Sequence, residues 1–219
     1  EKHYKSMKNN RRKVNPIPKY GIETQAVHAG SEPDSLTGAR NTPIYQTTSF
    51  VFEDVDHAAD LFNLQTFGFM YSRLTNPTVS VLEERLATLE NGRACVAASS
   101  GHAAQFLTFF SLMEPGDEFI ASKHLYGGSI SQFGNSFKRL GWNCVFVDAT
   151  SPENIRAALT PKTKAIFIEV LANPGGIILD LEAIVDIANN EGLAEGLEEI
   201  DGGVTVHHAC HARAQNMGI

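Results

Sequence analysis

Cysteine is scarce. The 219 residues hold only Cys95, Cys144 and Cys210, with no Cys-x-x-Cys spacing. So odd and sparse a set excludes a disulfide scaffold and fits a reducing compartment, so a cytoplasmic location is expected. Long apolar runs are also lacking, and none approaches the roughly 20 residues that cross a bilayer. The N-terminus has no apolar h-region of the kind a secretory signal needs. Surplus positive charge is missing too. The formal net charge is −7, which disfavours a nucleic-acid partner. What is present, 42% hydrophobic and 20% charged residues, is ordinary globular composition, and the length suffices for one sizeable domain with an arm.

The basic residues are local. Lys2, Lys5, Lys8, Arg11, Arg12, Lys13 and Lys19 crowd residues 1–21, which read as a polar, solvated tail. Residues 21–52 show turn residues and no helical period. They are expected to form an extended arm with room for one short strand, packed on the rest of the chain or on a second subunit. A helix is expected after Asn76, with Asn76 as N-cap and Pro77 in the first turn. Val79, Leu82, Leu86 and Leu89 form its apolar stripe, and Asn91-Gly92 ends it.

Beyond that helix, apolar runs alternate with helical segments. Strands are expected at 95–98, 118–121, 143–147 and 164–171. Helices are expected at 102–113, 132–140, 151–159 and, capped by Asp180, from 181 to Gly192. Such alternation predicts an α/β fold on a mainly parallel sheet. Ligands of such sheets sit at the carboxyl ends of strands, which directs attention to 99–101, 121–122, Asp148 and 169–173.

Each of these places admits two readings. Ser99-Ser100-Gly101-His102 opens a helix, so its backbone N–H groups could hold a phosphate or carboxylate, or Ser100 could simply cap the helix. Tyr126, in "LYGGS", could stack on a flat ligand or cover core. Glu169 and Asn173, in "IEVLANPGG", could hold a polar ligand or merely belong to a turn. In "YSRLTNPT", Tyr71 and Arg73 lie two residues apart. In an extended segment both would point to one side and could grip one anion; the alternative is a surface arginine beside a core-covering tyrosine.

Taken together, "TGARNTPIYQTTSFVF", "YSRLTNPT", "SSGHAA", "LYGGS" and "ANPGG" occur in an order and at separations that resemble the pyridoxal-phosphate enzymes of cysteine and methionine metabolism. The resemblance runs from about residue 22 to about residue 192, and "SGHAAQF" and "LANPGG" lean toward its sulfhydrylase branch. It implies a type I, aspartate-aminotransferase-like α/β large domain, incomplete, over 78–192, and an N-terminal arm over 22–77 that completes a partner subunit's site. It implies pyridoxal 5'-phosphate as cofactor, a small amino-acid substrate and a homo-oligomer, a dimer of dimers. The implied reaction is γ-replacement, forming homocysteine from O-acetylhomoserine and sulfide. The alternatives are a cystathionine γ-synthase or γ-lyase, or a non-catalytic fragment that binds cofactor or a partner.

Residue by residue, the resemblance places Ser100, Gly101 and His102 at the cofactor phosphate and Tyr126 over the ring, where it also assists proton transfer. It places Asn173 near the ring's phenolic oxygen with Glu169 close by, and Tyr71 and Arg73 at the neighbouring subunit's phosphate. The family pattern then continues into a strand aspartate, the lysine that anchors the cofactor covalently, and a C-terminal domain with an arginine for the substrate carboxylate. Residues 193–219 match none of this. They contain no lysine, their only aspartate is Asp201, and they carry "HHACH" (His207, His208, Cys210, His211). The change of composition reads as a change of reading frame or an unspliced junction, with a metal site as the lesser alternative.

Overall fold

The computed structural model describes residues 20–190. Residues 1–19 and 191–219 lie outside this range, and with them the basic tail, the end of the last helix at Gly192 and the His-Cys cluster. The chain divides into two compact units between Ala97 and Ala98.

The segment expected to be an extended arm, residues 21–52, opens with a helix instead and is otherwise irregular, with one antiparallel bridge from Ser49 to Tyr71. Helix α1 spans Ile22–His28. Seven residues hold no stable helix alone, and tertiary contact supplies the support. Helix α1 packs against α3 (Pro77–Leu89). Gly30, at φ +71°, passes so close to α3 that a Cβ would lie 2.8 Å from the Val81 carbonyl oxygen. Arg85 on α3 donates from Nε to the Ala29 carbonyl at 2.9 Å and from Nη2 to Ser31 Oγ at 2.5 Å. Helix α2 (Val55–Phe62) is capped by Asp54, whose Oδ1 accepts the His57 N–H at 2.8 Å, and it buries Leu61.

Asn76 caps α3 as expected, its side chain accepting the Thr78 N–H at 2.9 Å. Its Nδ2 also donates to the Tyr45 carbonyl at 3.0 Å and to Ser72 Oγ at 2.9 Å, so this buried side chain ties the helix start to the arm. The apolar stripe of α3 is not covered as its period predicts: Val79 and Leu82 are exposed and no residue of the helix is fully buried. The expected strand at 95–98 does not form either. The segment finds no strand partner among the described residues, and Val96 lies exposed.

The second unit is a three-stranded parallel sheet of order β2-β1-β3, with β1 Glu118–Ser122, β2 Asn143–Val147 and β3 Thr163–Phe167. Central β1 is buried on both faces, as a strand covered by helices must be. Phe119 and Ala121 face an aromatic core with Phe109, Phe133, Phe137, Trp142 and Phe167; Ile120 faces a second core with Ile155, Leu179, Ile184 and Ile187. Helix α4 (Gly101–Leu112) supplies Phe109, whose ring centroid lies 4.3 Å from that of Phe119.

The helix expected at 132–140 is the end of a longer and irregular one. Helix α5 (Gly127–Ser131) runs into a π-helical turn, Gln132–Ser136, and a 3-10 turn, Phe137–Leu140, stopped by Gly141 at φ +83°. Helix α6 is Pro152–Ala158. Strand β3 ends at Phe167, short of residue 171. The chain then makes an isolated antiparallel bridge, Leu171 to Ile178, around a turn with a cis Asn173-Pro174 bond. Asp180 caps α7 (Leu181–Asn190), its Oδ1 accepting the Ala183 N–H at 3.1 Å.

Candidate functional site

The site is built where three local structures of the second unit meet: the N-terminus of α4, the loop leaving β1, and the turn beyond β3. Ser100 is the N-cap of α4, and its Oγ accepts the Ala103 N–H at 3.1 Å. Gly101 and His102 follow as the first two helical residues. Their N–H groups are among those no intrahelical carbonyl can reach, at the positive end of the helix dipole.

The loop from β1 is held at both sides. Buried Ser122 accepts the His124 N–H on its Oγ at 3.0 Å, and the Lys123 N–H donates to the Val147 carbonyl at 2.8 Å. Asp148, at the end of β2, takes Lys123 Nζ at 2.7 Å, Thr150 Oγ1 at 2.6 Å and His124 Nε2 at 3.4 Å. Hydrogen bonds from Lys123 and then Thr150 hold the Asp148 carboxyl far below the usual carboxylate range. This partly exposed cluster ties the start of the loop to the end of β2.

Tyr126 is the N-cap of α5, and its ring is half exposed. It lies against the His102 imidazole with centroids 5.9 Å apart and planes 30° apart. Its N–H donates to Glu169 Oε1 at 3.0 Å, and the Asn173 N–H donates to Glu169 Oε2 at 3.2 Å. Ser100, Gly101, His102, Tyr126, Glu169 and Asn173, all singled out from the sequence, therefore form one linked group.

Two features escaped sequence reading. Gly128 is the residue over which the two rings close: a Cβ there would lie 2.5 Å from Tyr126 Cε1 and 2.7 Å from His102 Cε1. The Gly-Gly pair was visible, but not which glycine is sterically required. Gln132 was assigned only to a helix. Its Nε2 donates to the His102 carbonyl at 3.0 Å, and buried Gln105 donates to Ser129 Oγ at 2.9 Å, so two amides fasten α5 and its π turn to α4.

Tyr71 and Arg73 lie in the first unit. They do not occupy an extended segment. A turn, closed by the Leu74 N–H donating to the Tyr71 carbonyl at 2.8 Å, brings them together, with the Arg73 guanidinium carbon 5.1 Å from the Tyr71 ring centroid. Among the described residues, no cluster of three or more His, Cys, Asp or Glu side chains could hold a metal, and no helix is long and apolar enough to cross a membrane.

The chain has known relatives. The chain is 47% identical over 171 residues to an O-acetyl-L-homoserine sulfhydrylase of Leptospira meyeri, covering 78% of this chain and 39% of that protein. It is 40% identical over 188 residues to a homocysteine synthase of Schizosaccharomyces pombe, covering 86% and 44%. It thus spans about two fifths of the length of these relatives. A Campylobacter jejuni structure described as an O-acetylhomoserine (thiol)-lyase, containing a pyridoxyl-lysine phosphate, superposes with a TM-score of 0.74 at 37% identity over 78% of this chain and 42% of that one. A cystathionine gamma-lyase from Lactobacillus plantarum gives 0.69 at 35% identity, over 78% and 42%. These neighbours place the fold among the type I pyridoxal-phosphate enzymes, with the large domain incomplete. The family model described as "Cys/Met metabolism PLP-dependent enzyme" matches residues 23–199, and the chain that builds a helix N-terminus, a stacked tyrosine and an Asn-Pro turn into one site belongs to that family.

Proposed function

We propose that this chain is the cofactor-gripping part of an enzyme that makes homocysteine from O-acetylhomoserine and sulfide. The observation that carries the reading is the linked group of Ser100, Gly101, His102, Tyr126, Glu169 and Asn173 at the carboxyl side of a parallel sheet, in a chain whose relatives are named O-acetyl-L-homoserine sulfhydrylase and homocysteine synthase. The residues fit pyridoxal phosphate. A helix N-terminus suits a phosphate. The half-exposed Tyr126 ring offers a face for a planar heterocycle, and the missing Cβ of Gly128 leaves room for the Tyr126 and His102 rings beside it.

When bound, pyridoxal phosphate supplies an electron sink for carbanion chemistry. The chain's own residues bind and orient. Ser100 holds the first turn of α4, where the Gly101 and His102 N–H groups would bind the phosphate. Tyr126 would lie against the ring and carries a phenol able to relay a proton. Asn173 offers an amide beside it. Tyr71 and Arg73, held as a cation–π pair, would serve the phosphate of a neighbouring subunit in a homo-oligomer.

Equilibrium dialysis of the chain against pyridoxal phosphate and against pyridoxal tests the site. The phosphate form is expected to bind at least about tenfold more tightly, given the strength of charge-assisted hydrogen bonds, and Ser100→Ala is expected to narrow the gap. Equal affinity for the two compounds would refute the phosphate assignment. In the complete enzyme containing this segment, sulfide should yield homocysteine. Turnover with cysteine in place of sulfide would assign the reaction to the cystathionine branch instead.

A further inference from the structure

We infer that Glu169 is a positioning residue that couples the Tyr126 loop to the Asn173 turn, and that it does not itself contact the cofactor. The inference rests on the cofactor reading above and deepens it. Both carboxylate oxygens are engaged by backbone N–H groups, that of Tyr126 at 3.0 Å on Oε1 and that of Asn173 at 3.2 Å on Oε2. The two donors lie on opposite sides of Glu169 in the sequence, 43 and 4 residues away. One side chain therefore bridges the segment leaving β1 and the segment leaving β3, the two strand ends on which the site is built.

Three physical arguments favour this role. A carboxylate accepts only, so two N–H donors complement it, and charge-assisted bonds are the stronger kind. Both oxygens already accept N–H bonds from the chain itself, so the negative charge is satisfied by these dipoles without a ligand. The Tyr126 ring also lies against the His102 imidazole, in the space that a Cβ at Gly128 would take, and is otherwise half exposed. The bond to the Tyr126 N–H therefore fixes the position of the backbone from which a largely open ring projects.

The test is Glu169→Gln. Glutamine offers one acceptor oxygen, so one of the two N–H groups must lose its partner. Amide hydrogen exchange at Tyr126 and Asn173 is expected to be slow in the unaltered chain and at least about tenfold faster at one of them in the variant, as for a lost hydrogen bond to a charged group. Pyridoxal-phosphate affinity is expected to fall about tenfold in the same variant, but less than twofold when the substitution is made in a Tyr126→Ala background, because the effect acts through that ring. Glu169→Asp, which keeps the charge on a shorter stem, is expected to fall between the two. Unchanged exchange at both amides overturns the clamp. So does an equal loss of affinity in both backgrounds, which a general structural weakening would give. Failure of the unaltered chain to bind pyridoxal phosphate overturns the cofactor reading instead, and the paired exchange rates still decide whether Glu169 joins the two segments.

Discussion

Gly128 and Cys144 show how single positions can be tested apart from the rest. A methyl group at Gly128 would sit within 3 Å of both Tyr126 and His102, whereas one at neighbouring Gly127 would meet nothing within 4 Å. Gly128→Ala is therefore expected to cost about 1–3 kcal/mol by overpacking and to weaken pyridoxal-phosphate binding, while Gly127→Ala leaves both nearly unchanged. Urea titration and dialysis of the two variants side by side check this. Equal behaviour would mean that the ring pair yields without consequence. Cys144, on β2 beside the aromatic core, has its thiol pushed up to about 12 by burial. A folded thiol that keeps its proton while the unfolded one loses it favours the native state less as pH rises. Stability should accordingly decline from about pH 9 upward, and Cys144→Ala should flatten that decline. Below that range Cys144 should resist thiol reagents until the chain unfolds. Rapid labelling of native protein at neutral pH would contradict the burial.

Among the elements, α3 is the clearest case of a start signal that does more than start a helix. Asn76 caps the helix and also satisfies the Tyr45 carbonyl and Ser72 Oγ. Asn76→Ala should cost about 2 kcal/mol, more than the roughly 1 kcal/mol of an ordinary cap, since the Tyr45 carbonyl and Ser72 Oγ also lose the donor that this buried side chain gives them. Ser100→Ala, which loses only the Ala103 N–H bond, should cost about 1 kcal/mol. Thermal unfolding of the two variants gives the comparison, and equal losses would show that the arm contributes nothing through Asn76. The Asn-Pro cap was legible because capping is a local interaction. So was Asn143–Val147, an apolar run between turn signals. Helix α1 was not legible, because what holds it, Arg85 and the close approach of α3 at Gly30, comes from a segment distant in sequence. The segment 95–98 has a strand's composition but no neighbour to pair with among the described residues, and composition cannot supply one. The same division applies to the site. Tyr126, Glu169 and Asn173 could be found because strand ends in parallel sheets are where ligands lie. That Glu169 reaches the Tyr126 N–H depends on register and packing, which no local pattern encodes.

For the whole molecule, the decisive quantity is the apolar surface left uncovered. In the first unit Val51 and Phe67 are fully exposed and Leu64 and Val55 nearly so; in the second, Phe110 and Ile178 are largely exposed. Among the described residues, strands β2 and β3 each pair only with β1, so both edges of the sheet present backbone groups without a strand partner there. Single exposed apolar residues are common, but uncovered aromatic and aliphatic side chains together with open edges favour association. The 219-residue chain is therefore expected to associate as its concentration rises through the micromolar range, where exposed apolar surface and open edges drive aggregation. It should also bind a hydrophobic dye before its main unfolding transition and unfold over a broad temperature range. Sedimentation velocity across a concentration series, with dye fluorescence and calorimetry on the same samples, checks each part. A sharp, cooperative transition from a monodisperse dimer would show that self-pairing of this chain covers the exposed face and closes the sheet edges.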